Sequence, residues 1–123
     1  MIKRKILVVE DEMIIARDIV MQLCDLGYEP LGPADTGEQA IEMARQLRPD
    51  LVLMDVHLGS AMDGIEAAQA IRTQFDIPAV FLSAFSGDAN RARAQLAKPA
   101  GYLAKPFEDY ELREVIAAAF KDG

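Results

Sequence analysis

The chain has 123 residues, 51% of them apolar and 27% charged, with a net charge of −7 at neutral pH. That describes one domain of ordinary size with enough apolar material for a core. No stretch approaches the ~20 apolar residues of a membrane span, and the acidity argues against wrapping nucleic acid, which calls for a basic surface.

Met1-Ile-Lys-Arg-Lys5 starts the chain with basic residues, but Glu10-Asp11-Glu12 interrupts any signal-peptide core, so a cytoplasmic location is expected. The first strand is predicted over 5–10. Over 13–25, Ile15, Ile19 and Leu23 recur every four residues, and Gly27 follows as a stop signal for this first helix. Cys24, the single cysteine, cannot form an intramolecular disulfide and reads as a small core residue of that helix.

A short strand is expected near 28–33. Thr36-Gly-Glu-Gln39 then fits a capping box, Ala40, Ala44 and Leu47 line the inner face of the second helix, and Arg48-Pro49 closes it. The third strand covers 51–55. Asp63, with Glu66 three residues on, opens a third helix that ends before Pro78. A fourth strand covers 78–83 and a fifth 101–104. Between them, 87–98 reads as a helix with only Leu96 as a large apolar residue, so weak anchoring and mobility are expected there. The last helix carries Leu112, Val115, Ile116, Ala119 and Phe120 on one apolar stripe.

Strands alternating with helices in this way predict a parallel sheet covered on both faces, with right-handed crossovers. Ile6-Leu-Val-Val9 runs into Glu10-Asp11, Leu51-Val-Leu-Met54 into Asp55, and Tyr102-Leu-Ala104 into Lys105-Pro106. Functional groups of such sheets gather outside the carboxyl ends of the strands. Three acids and a lysine therefore converge on one spot, with the chemistry to hold a divalent cation and a phosphoryl group.

Leu7-Val-Val-Glu-Asp-Glu12, Asp55, Asp63-Gly64, Ser83-Ala84 and Tyr102-Leu-Ala-Lys-Pro-Phe107 together resemble the receiver domains of two-component response regulators, over nearly the whole chain. The resemblance implies a flavodoxin-like doubly wound (βα)5 fold with strand order 2-1-3-4-5, and a single receiver over residues 1–123 with no effector domain. By position, Asp55 is the expected phosphoacceptor and Asp11 the direct Mg²⁺ ligand. Glu10 acts beside it through water or hydrogen bonds, and the backbone carbonyl of His57 is a further ligand. Ser83 and Lys105 meet the phosphoryl oxygens. Tyr102 is either the aromatic switch residue or a side chain buried against the fourth helix. The implied phosphodonor is a histidine kinase or a histidine phosphotransfer protein. The output is a changed face read by a downstream protein, or a phosphorylation-induced homodimer. Such a protein is no enzyme beyond catalysing its own phosphorylation and dephosphorylation.

Two places depart from the family's pattern. Gly59-Ser60 stands where a proline is usual, in a loop one residue longer, which predicts a more adaptable loop. Phe85 follows Ser83 where a polar residue is more familiar, and is read as packing inward rather than covering the pocket. The rival readings are a receiver-shaped module that is never phosphorylated, a receiver cut from a hybrid kinase, and an aspartyl-phosphate phosphatase. The last needs a substrate cleft for which 123 residues leave little room.

Overall fold

Five strands and five helices alternate from end to end: β1 (Lys5–Val9), α1 (Met13–Asp25), β2 (Glu29–Ala34), α2 (Gly37–Leu47), β3 (Leu51–Asp55), α3 (Gly64–Phe75), β4 (Ala79–Ser83), α4 (Asp88–Leu96), β5 (Gly101–Ala104) and α5 (Asp109–Lys121). The computed structural model describes residues 3–59, 61–84 and 88–121, without the side chains of 88–91. Phe85, Gly87 and Ser60 lie outside the described residues.

The strands form one sheet in the order β2-β1-β3-β4-β5, and every neighbouring pair is parallel. This is the flavodoxin-like arrangement expected from the alternation. β3 and β4 are buried at every residue, which is why they read as unbroken apolar runs rather than alternating ones. β2 lies at an edge and carries Pro30 and Pro33, and its register with β1 shifts between Leu7 and Val9, where Pro33 lies. The Gly32–Pro33 and Lys105–Pro106 peptide bonds are cis.

Side chains alternate between the two faces of the sheet. Leu7, Val9, Val52, Met54 and Phe81 pack against α2, α3 and Ala94 and Ala97 on one face. Ile6, Val8, Leu51, Leu53, Val80 and Leu82 meet α1 and α5 on the other, through Ile19, Leu23, Leu112 and Ile116. Each such fully buried aliphatic side chain contributes about 1.5–3 kcal/mol relative to exposure.

Two expectations need correction. Cys24 is exposed rather than core: the buried positions of α1 are Ala16, Ile19 and Leu23, and the residue after Leu23 turns 100° away from that stripe. Leu47 is 39% exposed. It ends α2, and Arg48 leaves the helix in the left-handed region at φ 49°, so the inner face is made by Gly37, Ala40 and Ala44 instead. Leu96, the single large apolar side chain of its segment, is 77% exposed, and the buried groups there are Ala94 and Ala97.

The helix starts follow their sequence signals. Asp63 accepts the N–H of Glu66 at 2.9 Å and Glu66 accepts that of Asp63 at 3.1 Å, a complete capping box for α3. At α2 only half the box forms. Thr36 accepts from the Gln39 N–H at 3.0 Å, while the Gln39 amide oxygen takes the N–H of Asp35 at 2.8 Å.

Candidate functional site

The ladder register lines up the chemistry along one edge of the sheet. Val9 pairs with Met54, so Glu10 and Asp55 each stand one residue further on. Asp55 pairs with Leu82, so Ser83 stands one beyond. Ser83 pairs with Ala104, and the N–H of the next residue, Lys105, donates to the Ser83 carbonyl at 2.8 Å. Among the described residues the buried polar side chains are Glu10, Asp55 and Ser83, all at this edge. Burying polar groups is costly unless they are hydrogen-bonded or paired, so their collection at one edge marks a candidate site.

The electrostatics of the cluster are unbalanced toward negative charge. Oxygens of Glu10, Asp11 and Asp55 lie within 4.8 Å of one another. Lys105 Nζ donates to Glu10 Oε1 at 2.5 Å and stands 3.5 Å from Asp55 Oδ2. The lysine therefore pairs first with Glu10 and only second with Asp55. Glu10 Oε2 also accepts the Glu12 N–H at 3.1 Å, which fixes the Glu10 side chain from the start of α1.

Burial, then the charge of Glu10, push the Asp55 carboxyl up from the ordinary 3.8 to about 7, against the opposing pull of Lys105 and of the His57 N–H. That N–H donates to Asp55 Oδ1 at 3.0 Å, and the His57 side chain is exposed. Asp11, also exposed, accepts the N–H of Gly59 on Oδ2 at 3.0 Å, which ties the loop after β3 to the end of β1.

The donor set fits Mg²⁺. Three carboxylates converge, hard oxygen ligands of the kind this ion takes, and one lysine cannot balance three acids. Glu10, Asp11 and Asp55 are the groups that can hold it. A cleft of about 600 Å³ between α1 and the turn after β5 opens beside Lys105, lined among others by Glu12, Asp18, Ala84 and Phe107.

Each site residue read from the sequence thus reaches this edge, with Tyr102 beside it. Tyr102 is half-buried and packs on the same core cluster as Ala94 and Ala97, on the α4 side of the sheet. The role of Gly64 was not read from its sequence neighbourhood. A Cβ on Gly64 would lie 1.9 Å from the Asp55 carbonyl oxygen, so a bare Cα is needed for α3 to start against the end of β3. The Asp63-Gly64 pair was the visible signal; the contact across the loop was not.

Comparison with known proteins agrees with this geometry. The family model for the response regulator receiver domain matches residues 6–117. The transcriptional regulatory protein PdtaR of Mycobacterium tuberculosis is 40% identical over 118 residues, covering 96% of this chain and 57% of that protein. The chain thus spans little more than half the length of that relative. The signal receiver domain of a modulated diguanylate cyclase from Desulfovibrio desulfuricans G20 superposes with a TM-score of 0.93 at 36% identity, covering 98% of this chain and 96% of that one. The receiver domain of the sensor histidine kinase PA1611 from Pseudomonas aeruginosa PAO1, solved with a magnesium ion coordinated in its active-site cleft, gives 0.85 at 32% identity, covering 97% and 99%. With its fold, its acidic edge and the family match over 6–117, the chain belongs to the response regulator receiver domains of two-component signalling.

Proposed function

We propose that Asp55 accepts a phosphoryl group from a phosphohistidine of another protein in a reaction that requires Mg²⁺, and that the phosphorylated chain signals through a changed protein-binding face. The observation that carries this reading is Asp55 itself: a buried carboxylate, pushed to about pKa 7, beside a second buried acid and in reach of one lysine. Structural aspartates seldom sit in so unfavourable a place, and perturbed groups of this kind cluster at functional sites.

In the proposed step, one Asp55 oxygen forms the new O–P bond as the N–P bond of the donor breaks, and the donor nitrogen keeps the electron pair and is protonated. Asp55 Oδ1 is oriented by the His57 N–H, which leaves Oδ2 on the Lys105 side. Lys105 supplies positive charge for the phosphoryl oxygens, and the buried Ser83 hydroxyl is their second partner. Glu10 holds the lysine at this edge until then. When bound by Asp11, Asp55, the His57 carbonyl and, through water, Glu10, Mg²⁺ offsets the repulsion between the carboxylate and the incoming phosphoryl oxygens.

The phosphoaspartyl product adds negative charge and strong acceptor oxygens at the edge of β3 and β4. Ser83 moves toward them and Tyr102 rotates into the vacated space. The packing of Tyr102 on the α4 side of the sheet, against the cluster that holds Ala94 of α4 and Ala97 just beyond it, supports this coupling. The face formed by α4, β5 and α5 then presents a new surface to a downstream protein or a second copy. The chain acts on no other molecule: its chemistry is its own phosphorylation and dephosphorylation. The donor is a histidine kinase or a histidine phosphotransfer protein, and the setting is cytoplasmic.

Intact mass after incubation with a small phosphodonor tests this directly. We expect the gain of one phosphoryl group with Mg²⁺, none with a chelator, and none in Asp55→Asn. Labelling that persists in the variant overturns the assignment of Asp55. Labelling that ignores the chelator overturns the cation requirement.

A further inference from the structure

Gly59 stands in the loop between β3 and α3, and its N–H reaches across to the end of β1 to donate to Asp11 Oδ2 at 3.0 Å. The contact joins the two strand ends that carry the acidic cluster. Asp11 is exposed, so its carboxylate would otherwise turn among rotamers in water. Among the described residues this is the hydrogen bond recorded for that carboxylate. The approach is close: a Cβ at residue 59 would lie 3.1 Å from Oδ2, so glycine lets the backbone come near. A proline at this place would have no hydrogen to give.

We propose that the Gly59 N–H is a positioning group for the cation, and so deepens the reading of the site as a Mg²⁺-dependent phosphoacceptor, on which it rests. Holding one oxygen of Asp11 keeps that carboxylate where an oxygen of it lies within 4.8 Å of oxygens of Glu10 and Asp55. Mg²⁺ demands near-ideal octahedral geometry at about 2.0–2.1 Å, whereas Ca²⁺ tolerates looser sets at about 2.3–2.6 Å. A carboxylate fixed in advance therefore favours Mg²⁺ over Ca²⁺. Because the bond is at the surface, its removal weakens rather than abolishes binding.

The test replaces the Gly59 amide by an ester, with glycolic acid at position 59 of the full chain, which deletes the donor and adds no side chain. Mg²⁺ and Ca²⁺ affinities are read by calorimetry on the unphosphorylated protein. The expected result is Mg²⁺ binding weakened about 3–10-fold, Ca²⁺ binding changed less than about twofold, and an unchanged melting temperature without metal. Gly59→Pro, which also lacks the N–H, should shift the same ratio in the same direction. An ester variant with the wild-type Mg²⁺-to-Ca²⁺ ratio overturns the positioning role alone. A wild-type chain that binds no Mg²⁺ overturns the reading of the site and this inference with it.

Discussion

Two strand-to-helix passages leave the carboxyl edge side by side, and they are built differently. From β3 the chain enters α3 through a complete capping box at Asp63 and Glu66, with Gly64 pressed on the Asp55 carbonyl and with Ile65, Ala67, Ala68 and Ile71 buried. From β4 it leads to α4, whose described side chains bury only Ala94, with Ala97 just beyond, while Leu96 faces solvent. Apolar burial sets how firmly an element is held, so the first passage is a fixed mount for Asp55. The second has far less area to lose when its neighbours move. An ion pair joins them: Arg93 of α4 donates to Asp63 Oδ2 at 2.7 Å. Burial works against charge on Asp63, but the Glu66 N–H and the Arg93 guanidinium outweigh it and hold that carboxyl below its usual range.

Substitutions rank the two passages. Gly64→Ala should cost the most, about 3 kcal/mol or more, because the added carbon meets backbone that cannot turn aside. Urea unfolding of the metal-free chain would measure it, and a cost under about 1 kcal/mol would mean that the β3–α3 passage is looser than described. Ile71→Ala, at a fully buried position, should cost about 2–5 kcal/mol. The matching change in the second passage, Leu96→Ala, should stay within about 0.5 kcal/mol. Equal costs would erase the contrast between the helices.

Asp55→Asn should instead stabilise the metal-free fold, by about 1–3 kcal/mol at neutral pH. The folded carboxyl is raised from 3.8 to about 7, so the stability tied to its neutral form is fully present below 3.8 and lost as pH rises through 7. The advantage of the variant should therefore be absent near pH 4 and complete above pH 7. A difference independent of pH would show that the gain arises from something other than the buried charge. Smaller still, Asp63→Ala should cost about 1 kcal/mol as a lost cap, and Arg93→Ala about 0.2–1 kcal/mol as a half-exposed ion pair. Thermal melts of both, and of the double variant, would show how much of the bridge is shared.

Much of the architecture was legible because it depends on period and punctuation. The apolar runs at β1, β3 and β4, the caps at Thr36 and Asp63 and the stop at Gly27 are local signals, and the structure follows them. The misread side chains are those whose exposure depends on where a helix ends or how it is rotated. Cys24 and Leu47 both lie in the last turn of their helices. In each case residue type was a poorer guide than position on the element.

The order of elements, the parallel sheet and the set of residues at its carboxyl edge follow from chain order and apolar period, because strand-end positions are settled once βα alternation is established. The partners come from the folded packing: Lys105 on Glu10 more closely than on Asp55, Gly59 on Asp11, Gly64 against the Asp55 carbonyl, Arg93 on Asp63. These contacts join residues from 9 to 95 positions apart. Distances between such groups are set by strand register and helix packing, to which no local pattern of residues gives access.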